Sequence, residues 1–191
     1  MMLTTKDITF TAVFTAAACM VGLALKIVPV ALIPFSLLPL VAMLAGGFLG
    51  SRLGALSMTI YMVLGLVGLP VFSVAPFGGL SYIFQPSFGF VPGYIACAFL
   101  AGKILENKRE PNLYHCSAAM LAGLSALYIV GLIYLYLILN LYVGTATNFA
   151  EILMIGFLPF ILFDLIKAAL AVSLTQTIIK RINILPVQKH R

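Results

Sequence analysis

Asp164 and Lys167 are the residues of this chain with which chemistry could be done. They stand in Phe163-Asp164-Leu165-Ile166-Lys167, one acid and one base inside an otherwise apolar stretch. Each costs roughly 2.5–3.5 kcal/mol at the centre of a membrane helix on the insertion scale, so their presence needs a reason. Three residues apart on a helix, they share a face and can pair. A carboxylate offers acceptors and an ammonium offers donors, and together they suit a small uncharged ring bearing both N–H and C=O groups. Two other readings compete. An ion pair could simply orient its helix, although keeping such a pair gives little net stability. A proton relay would need further Asp, Glu or His within the apolar spans, and the sequence supplies none.

The elements that must hold this pair are membrane helices. Of 191 residues 63% are hydrophobic and 8% charged, too little charge to cover the surface of a soluble domain of this size. A crossing takes about 20 mostly apolar residues for a hydrocarbon core of about 30 Å, which bounds the chain at about five to seven crossings. Continuous apolar runs such as Leu127–Leu139 exclude the alternating pattern of an outer-membrane barrel. The expected fold is an all-α integral membrane protein, a single transmembrane domain over residues 1–191. Turn residues and charges place its six helices near 9–25, 36–50, 53–69, 88–103, 115–142 and 156–181. Pro159 falls in the first turn of the last helix, where its missing N–H does no harm.

Six crossings put both termini on one side, together with Lys6, Arg52, Lys103, Lys108, Arg109, Lys180, Arg181, Lys189 and Arg191. Lys26 stands alone on the other, so the positive-inside rule makes the termini cytoplasmic. The net charge of +6 is then a set of topology anchors beside anionic lipid, and nucleic acid is not an expected partner. Lys6, an apolar stretch and Ala16-Ala17-Ala18-Cys19 loosely imitate a lipoprotein signal, but the apolar run continues through Leu25, so the segment is expected to stay as a helix. Cys19, Cys97 and Cys116 are odd in number and lack metal spacing, which predicts neither disulfide nor metal.

Two irregular connections lie on the side opposite the positive cluster. Pro29, Pro34 and Pro39 break the first, which carries Phe35 and Ser36. The second, about 70–87, interleaves Pro70, Pro76, Gly78, Gly79 and Pro86 with Phe72, Phe77, Tyr82, Phe84 and Gln85. Apolar, irregular backbone near membrane depth must be covered by protein or line a cavity. The two loops are therefore expected to plug the bundle or to form the walls and lid of a pocket floored by the last helix. No phosphate-binding Gly-x-x-x-x-Gly-Lys-[Ser/Thr] loop and no nucleophile–base set is present, so the chain is not expected to be an enzyme or to drive transport alone. Ala12 and Ala16, with Ala17 and Ala18 beside them, make a small-residue face that permits close helix approach, as do Gly46, Gly50 and Gly54.

These elements in this order resemble the BioY family, the biotin-binding substrate-specificity (S) components of energy-coupling factor (ECF) transporters. The resemblance covers nearly the whole chain. It rests on Pro34-Phe35-Ser36-Leu37, on the turn from Ala45-Gly46-Gly47 through Gly50-Ser51-Arg52 to Gly54-Ala55, and on Gly68-Leu69-Pro70-Val71-Phe72 with Gly78-Gly79. Pro86-Ser87-Phe88-Gly89-Phe90 and Leu158-Pro159 with Asp164-x-x-Lys167 complete it. Leu38-Pro39 departs from the family, where many members carry a polar Gln or Thr. The resemblance implies a multi-pass bacterial plasma-membrane protein, without cofactor, that captures biotin from outside. It would deliver the vitamin through a transmembrane coupling protein and two cytoplasmic ATPases. Asp164 and Lys167 correspond to the family's biotin contacts, and Ala12 and Ala16 fit the Ala-x-x-x-Ala coupling face of S components. Biotin joins a ureido ring and an apolar thiophane to a carboxylated tail, so a mostly apolar pocket with few polar groups suits it. Phe35, Phe77 and Tyr82 are expected as apolar walls, Gln85 and Ser36 as further polar contacts. A stand-alone secondary transporter, an S component for another vitamin and a structural membrane protein are the alternatives.

Overall fold

The computed structural model describes residues 4–24, 36–106, 108 and 111–181. Phe35, the Lys26–Pro34 segment, Arg109, Glu110 and the tail with Lys189, His190 and Arg191 lie outside the described residues. Helix α1 spans Thr5–Ala24. It begins before the expected Thr9 because Thr4 and Asp7 cap it reciprocally. The Thr4 hydroxyl and backbone N–H both donate to the Asp7 carboxylate, at 2.7 and 2.9 Å, and the Asp7 N–H points back at the Thr4 hydroxyl.

Helix α2 runs over Leu38–Leu66 and is two arms in one. At Gly50 the backbone takes φ 84° and ψ −178°, a conformation that glycine adopts without a Cβ penalty. The chain folds back there: a Cβ on Gly54 would stand 2.9 Å from the Ala45 carbonyl oxygen, nine residues earlier. In a continuous helix those residues would be about 13 Å apart. The first arm, 38–49, is about 18 Å long at the helical rise, as short as its sequence indicates.

After α2 the chain forms two short 3-10 turns, Leu80–Phe84 and Pro86–Gly89, then α3 over Phe90–Glu106. Helix α4 spans Leu113–Leu137 and continues as a π turn over Ile138–Val143. A short helix α5, Phe149–Gly156, precedes α6, Leu158–Arg181. The helices expected from the sequence, 115–142 and 156–181, leave all but the last of these residues unassigned. They are helical because Asn148 and Glu151 form a capping box, with the Glu151 N–H donating to Asn148 at 2.9 Å. Among the described residues five helices are long and apolar enough to cross a membrane. With α2 counted as two passes, the described helices make six.

Close contacts give the directions of these passes. The Thr15 hydroxyl of α1 donates to the Ser57 carbonyl at 3.0 Å, and Gly22 lies against the Val71 carbonyl, so α1 runs alongside the second arm of α2 in the same direction. The bend of α2 sits on the far end of α3: a Cβ on Gly102 would approach the Ser51 nitrogen to 2.3 Å. Glu106, at the end of α3, accepts from the Ser51 N–H at 2.6 Å and from its hydroxyl at 2.9 Å, capping the second arm in place of a residue of its own. Gly47 packs on Thr175, near the end of α6. The start of α1, the bend of α2 and the ends of α3 and α6 thus share one end of the bundle, where Lys6, Arg52 and Lys103 also lie.

The closeness at Gly102 is testable. Gly102→Leu should separate α2 from α3 and destabilise the bundle by about 1–3 kcal/mol. Cys97 and Cys116 are fully buried, so a thiol-reactive dye reports the loss of packing. Labelling on heating should set in at clearly lower temperature in the variant than in the unaltered chain.

Candidate functional site

Asp164 and Lys167 meet on one face of α6. Asp164 lies six residues into that helix and Lys167 nine, about 9 and 14 Å from its start at the helical rise. The Lys167 ammonium donates to Asp164 Oδ1 at 2.6 Å. Asp164 is 4% exposed and Lys167 6%, so neither relies on solvent. The second carboxylate oxygen is also taken: the Tyr128 hydroxyl of α4 donates to Asp164 Oδ2 at 2.6 Å. Burial of two charges is tolerable when they pair and their remaining sites are hydrogen-bonded, which is the arrangement here.

The pair opens on a cavity of ≈ 150 Å³. Its walls are mainly apolar. Leu38 and Pro39 come from the start of α2, Tyr61 from the second arm, Phe72, Ser73 and Val74 from the following loop, and Tyr82 and Ser87 from the 3-10 turns. Phe90, Val91 and Tyr94 of α3, Leu127 and Tyr128 of α4 and Phe160 of α6 complete it. Aromatic contacts hold several of these in place. The Tyr61 ring meets Phe72 edge-on at 5.8 Å, and Phe72 lies 4.3 Å from Tyr82. Phe72, Tyr61 and Tyr82 are each almost wholly buried.

The loop over the cavity is tied down from both sides. The Gly79 N–H donates to the Gly65 carbonyl at 2.7 Å, and the Phe72 N–H to the Phe77 carbonyl at 2.8 Å, binding it to α2 and to itself. The Tyr134 hydroxyl of α4 donates to the Ile83 carbonyl, and Phe84 stacks on Tyr142 at 4.9 Å. Tyr82 and Ser87 hydroxyls are 3.2 Å apart. Burial raises the Tyr82 phenol above its ordinary value, so it stays neutral, and a neutral hydroxyl can give or accept a hydrogen bond.

The structure brings Asp164, Lys167, Tyr82 and Ser36 to the wall of one cavity. Phe77 and Gln85 are not among its walls. Phe77 sits at φ 66° in the turn that returns the loop on itself, its N–H donating to the Val74 carbonyl at 2.7 Å, and Phe72 supplies the aromatic wall instead. Gln85 joins the two 3-10 turns in extended conformation, and Tyr82 and Ser87 on either side face the cavity. Tyr94 and Tyr128 went unnoticed in the sequence. The signal was there: each is a tyrosine within an apolar helix, where a buried hydroxyl needs a partner. Ala12 and Ala16 are remote from this cavity. They are exposed on α1 and line an apolar groove with Ile8, Thr11, Thr15, Cys19 and, from the second arm of α2, Leu56, Ile60 and Leu64. Among the described residues no group of three His, Cys, Asp or Glu could hold a metal ion.

Comparison with known proteins gives a consistent result. Residues 1–184 match the BioY family. The chain is 34% identical over 165 residues to a probable biotin transporter BioY of Lysinibacillus sphaericus, covering 86% of this chain and 83% of that one. It is 33% identical over 197 residues to the biotin transporter BioY of Rhizobium etli, covering 97% of this chain and all of its relative. A crystal structure of the S-component for biotin from an ECF-type ABC transporter superposes with a TM-score of 0.73 at 27% identity, covering 92% of each chain.

The balance of the buried pair can be measured without any ligand. Lys167→Met strands a buried carboxylate and should cost about 3–5 kcal/mol of stability, whereas adding Asp164→Asn should return at least about half of that loss. Thermal unfolding of the purified single and double variants compares them. A double variant no more stable than Lys167→Met alone would show that the two charges do not depend on each other.

Proposed function

Because the chain belongs to the BioY family, we propose that it is the biotin-specific S component of an ECF-type importer, with Asp164 and Lys167 as the polar contacts of its binding site. One observation carries the residue assignment: the Asp164–Lys167 pair, opposite charges buried within α6, lies on the wall of a mostly apolar cavity. Membership of a family of transporters supports a transporter rather than an enzyme. The cavity presents one paired acid and base and several hydroxyls.

The chain is a multi-pass plasma-membrane protein. The positive-inside rule places the end bearing Lys6, Arg52 and Lys103 in the cytoplasm. The start of α6 then lies on the outer side, and the cavity is in the outer half of the bundle, beneath the loop over 67–89. Biotin would enter past that loop. Its ureido group and apolar thiophane match the polar pair and the aromatic walls, with Tyr82 and Ser36 as further contacts. Binding energy alone moves nothing across a membrane, and this chain has no phosphate-binding loop. A transmembrane coupling protein and two ATPase subunits would supply the drive. Ala12 and Ala16 support docking of that module on α1, because they present small side chains on an exposed groove away from the ligand cavity.

Mass spectrometry of ligand released from gently purified protein tests the substrate: biotin is expected, and an empty cavity with no biotin titration would defeat the reading. Release of another vitamin would move the assignment to that substrate. Asp164→Asn and Lys167→Met should each weaken biotin binding at least about tenfold, a difference of about 1.4 kcal/mol. Bulky replacements at Ala12 and Ala16 should leave biotin binding in place and abolish ATP-dependent uptake by the assembled transporter. Uptake that survives both replacements would remove α1 from the coupling surface, and uptake by this chain alone under an ion gradient would favour a secondary transporter.

A further inference from the structure

We infer that Tyr128 is a positioning residue of the ligand site: its hydroxyl holds the Asp164 carboxylate in a half-shared state, so that Lys167 keeps donors for the urea end of the ligand. The inference rests on the proposed function and adds to it a residue and a reason for selectivity. The hydrogen bonds define it. Asp164 gives one oxygen to Lys167 and the other to Tyr128, both at 2.6 Å. A lysine ammonium has three donors, and this geometry commits one of them to Asp164.

Without the phenol, Oδ2 of Asp164 would be left in an apolar wall with no donor from α4. A carboxylate one helical turn from an ammonium would then gain by turning both oxygens towards it. Lys167 would lose part of its capacity to meet a ligand carbonyl. With the phenol in place, the paired charges sum to zero and still present unused N–H groups, carboxylate lone pairs and the phenol oxygen. A cyclic urea presents the complement, one carbonyl between two N–H groups, and is itself uncharged. The ring of Tyr128 is fixed for this task. Phe90 meets it edge-on at 6.4 Å and 90°, and Phe157, at the junction of α5 and α6, at 4.9 Å and 74°. A phenol that merely braced α4 against α6 would have no need to stand on the cavity wall.

The test uses the purified full chain with three ligands: biotin, desthiobiotin, which keeps the urea, and biotin methylated on a urea nitrogen. Tyr128→Phe should weaken biotin and desthiobiotin in parallel by at least about fivefold, and should weaken the methylated ligand by less than about twofold, so that discrimination narrows. In an Asp164→Asn background the same replacement should change biotin affinity by less than about twofold, because the tyrosine acts through the carboxylate. If Tyr128→Phe does not fold, Phe157→Leu keeps the hydroxyl but loosens its seat and should narrow discrimination in the same direction. Equal loss for all three ligands, or full additivity with Asp164→Asn, would overturn the positioning role while leaving the proposed function standing. An unaltered chain that binds none of the three would overturn the functional reading and this inference with it.

Discussion

A lysine and an aspartate held in a membrane helix at 2.6 Å from each other constrain everything around them. Neither charge could remain there alone, because an unpaired ion in such surroundings costs several kcal/mol or more. The pair also leaves bonding capacity that the bundle must either satisfy or enclose. Part is satisfied by Tyr128, from a different helix. The rest faces a cavity whose other walls are mainly carbon. An arrangement of that kind is more expensive than an apolar core of equal volume, which is the physical ground for reading it as a site.

The helices that surround the cavity are packed closely at the other end. Gly46 stands against the Ala98 carbonyl, Gly102 against Ser51 and Gly123 against Cys97, each too close to admit a Cβ without movement. These contacts bind both arms of α2, α3 and α4 into one rigid block near the bend. Towards the opposite end glycines recur, Gly65 against the Phe72 ring among them, but Tyr61, Phe72, Tyr82, Tyr94 and Tyr128 stand around an open space. The space between these rings is the cavity that Asp164 and Lys167 face. The loop after α2 closes it with backbone hydrogen bonds to Gly65 and an anchoring bond from Tyr134, so its irregular backbone is covered as membrane depth requires.

Much of this was legible in the residues. The apolar runs and the positive charges fit six passes; among the described residues the structure has five long apolar helices, with α2 bent into two arms. The acid and base three positions apart had to share a face, and they do. Local details were less accessible. The capping box of Asn148 and Glu151 makes a separate helix between two expected spans, since a four-residue signal is easily lost beside a long apolar run. Which loop aromatic faces inward depends on one turn: the positive φ of Phe77 reverses the chain, and Phe72 takes the wall. Tyr128 could not be matched to Asp164 because 36 residues separate them and the packing of α4 on α6 is a property of the whole bundle. Sequence spacing determines neighbours within a helix; it says little about partners across one.

Of the five long described helices α1 is the least buried, and its exposed groove lies apart from the cavity. It packs along the second arm of α2 and leaves Ile8, Val13 and Met20 more than half exposed. Its contacts with the cavity are indirect, through Tyr61, whose hydroxyl donates to the Val71 carbonyl at 3.1 Å just where Gly22 closes against the same oxygen. That junction joins three things: the lid loop, a cavity wall and the outer end of α1. A partner seated on the groove at Ala12 and Ala16 would therefore bear on an element whose far end touches the lid, without entering the site itself. Closely packed glycines transmit displacement because they leave no slack to absorb it. The contact of Gly22 with Val71 is where α1 meets the loop over the cavity.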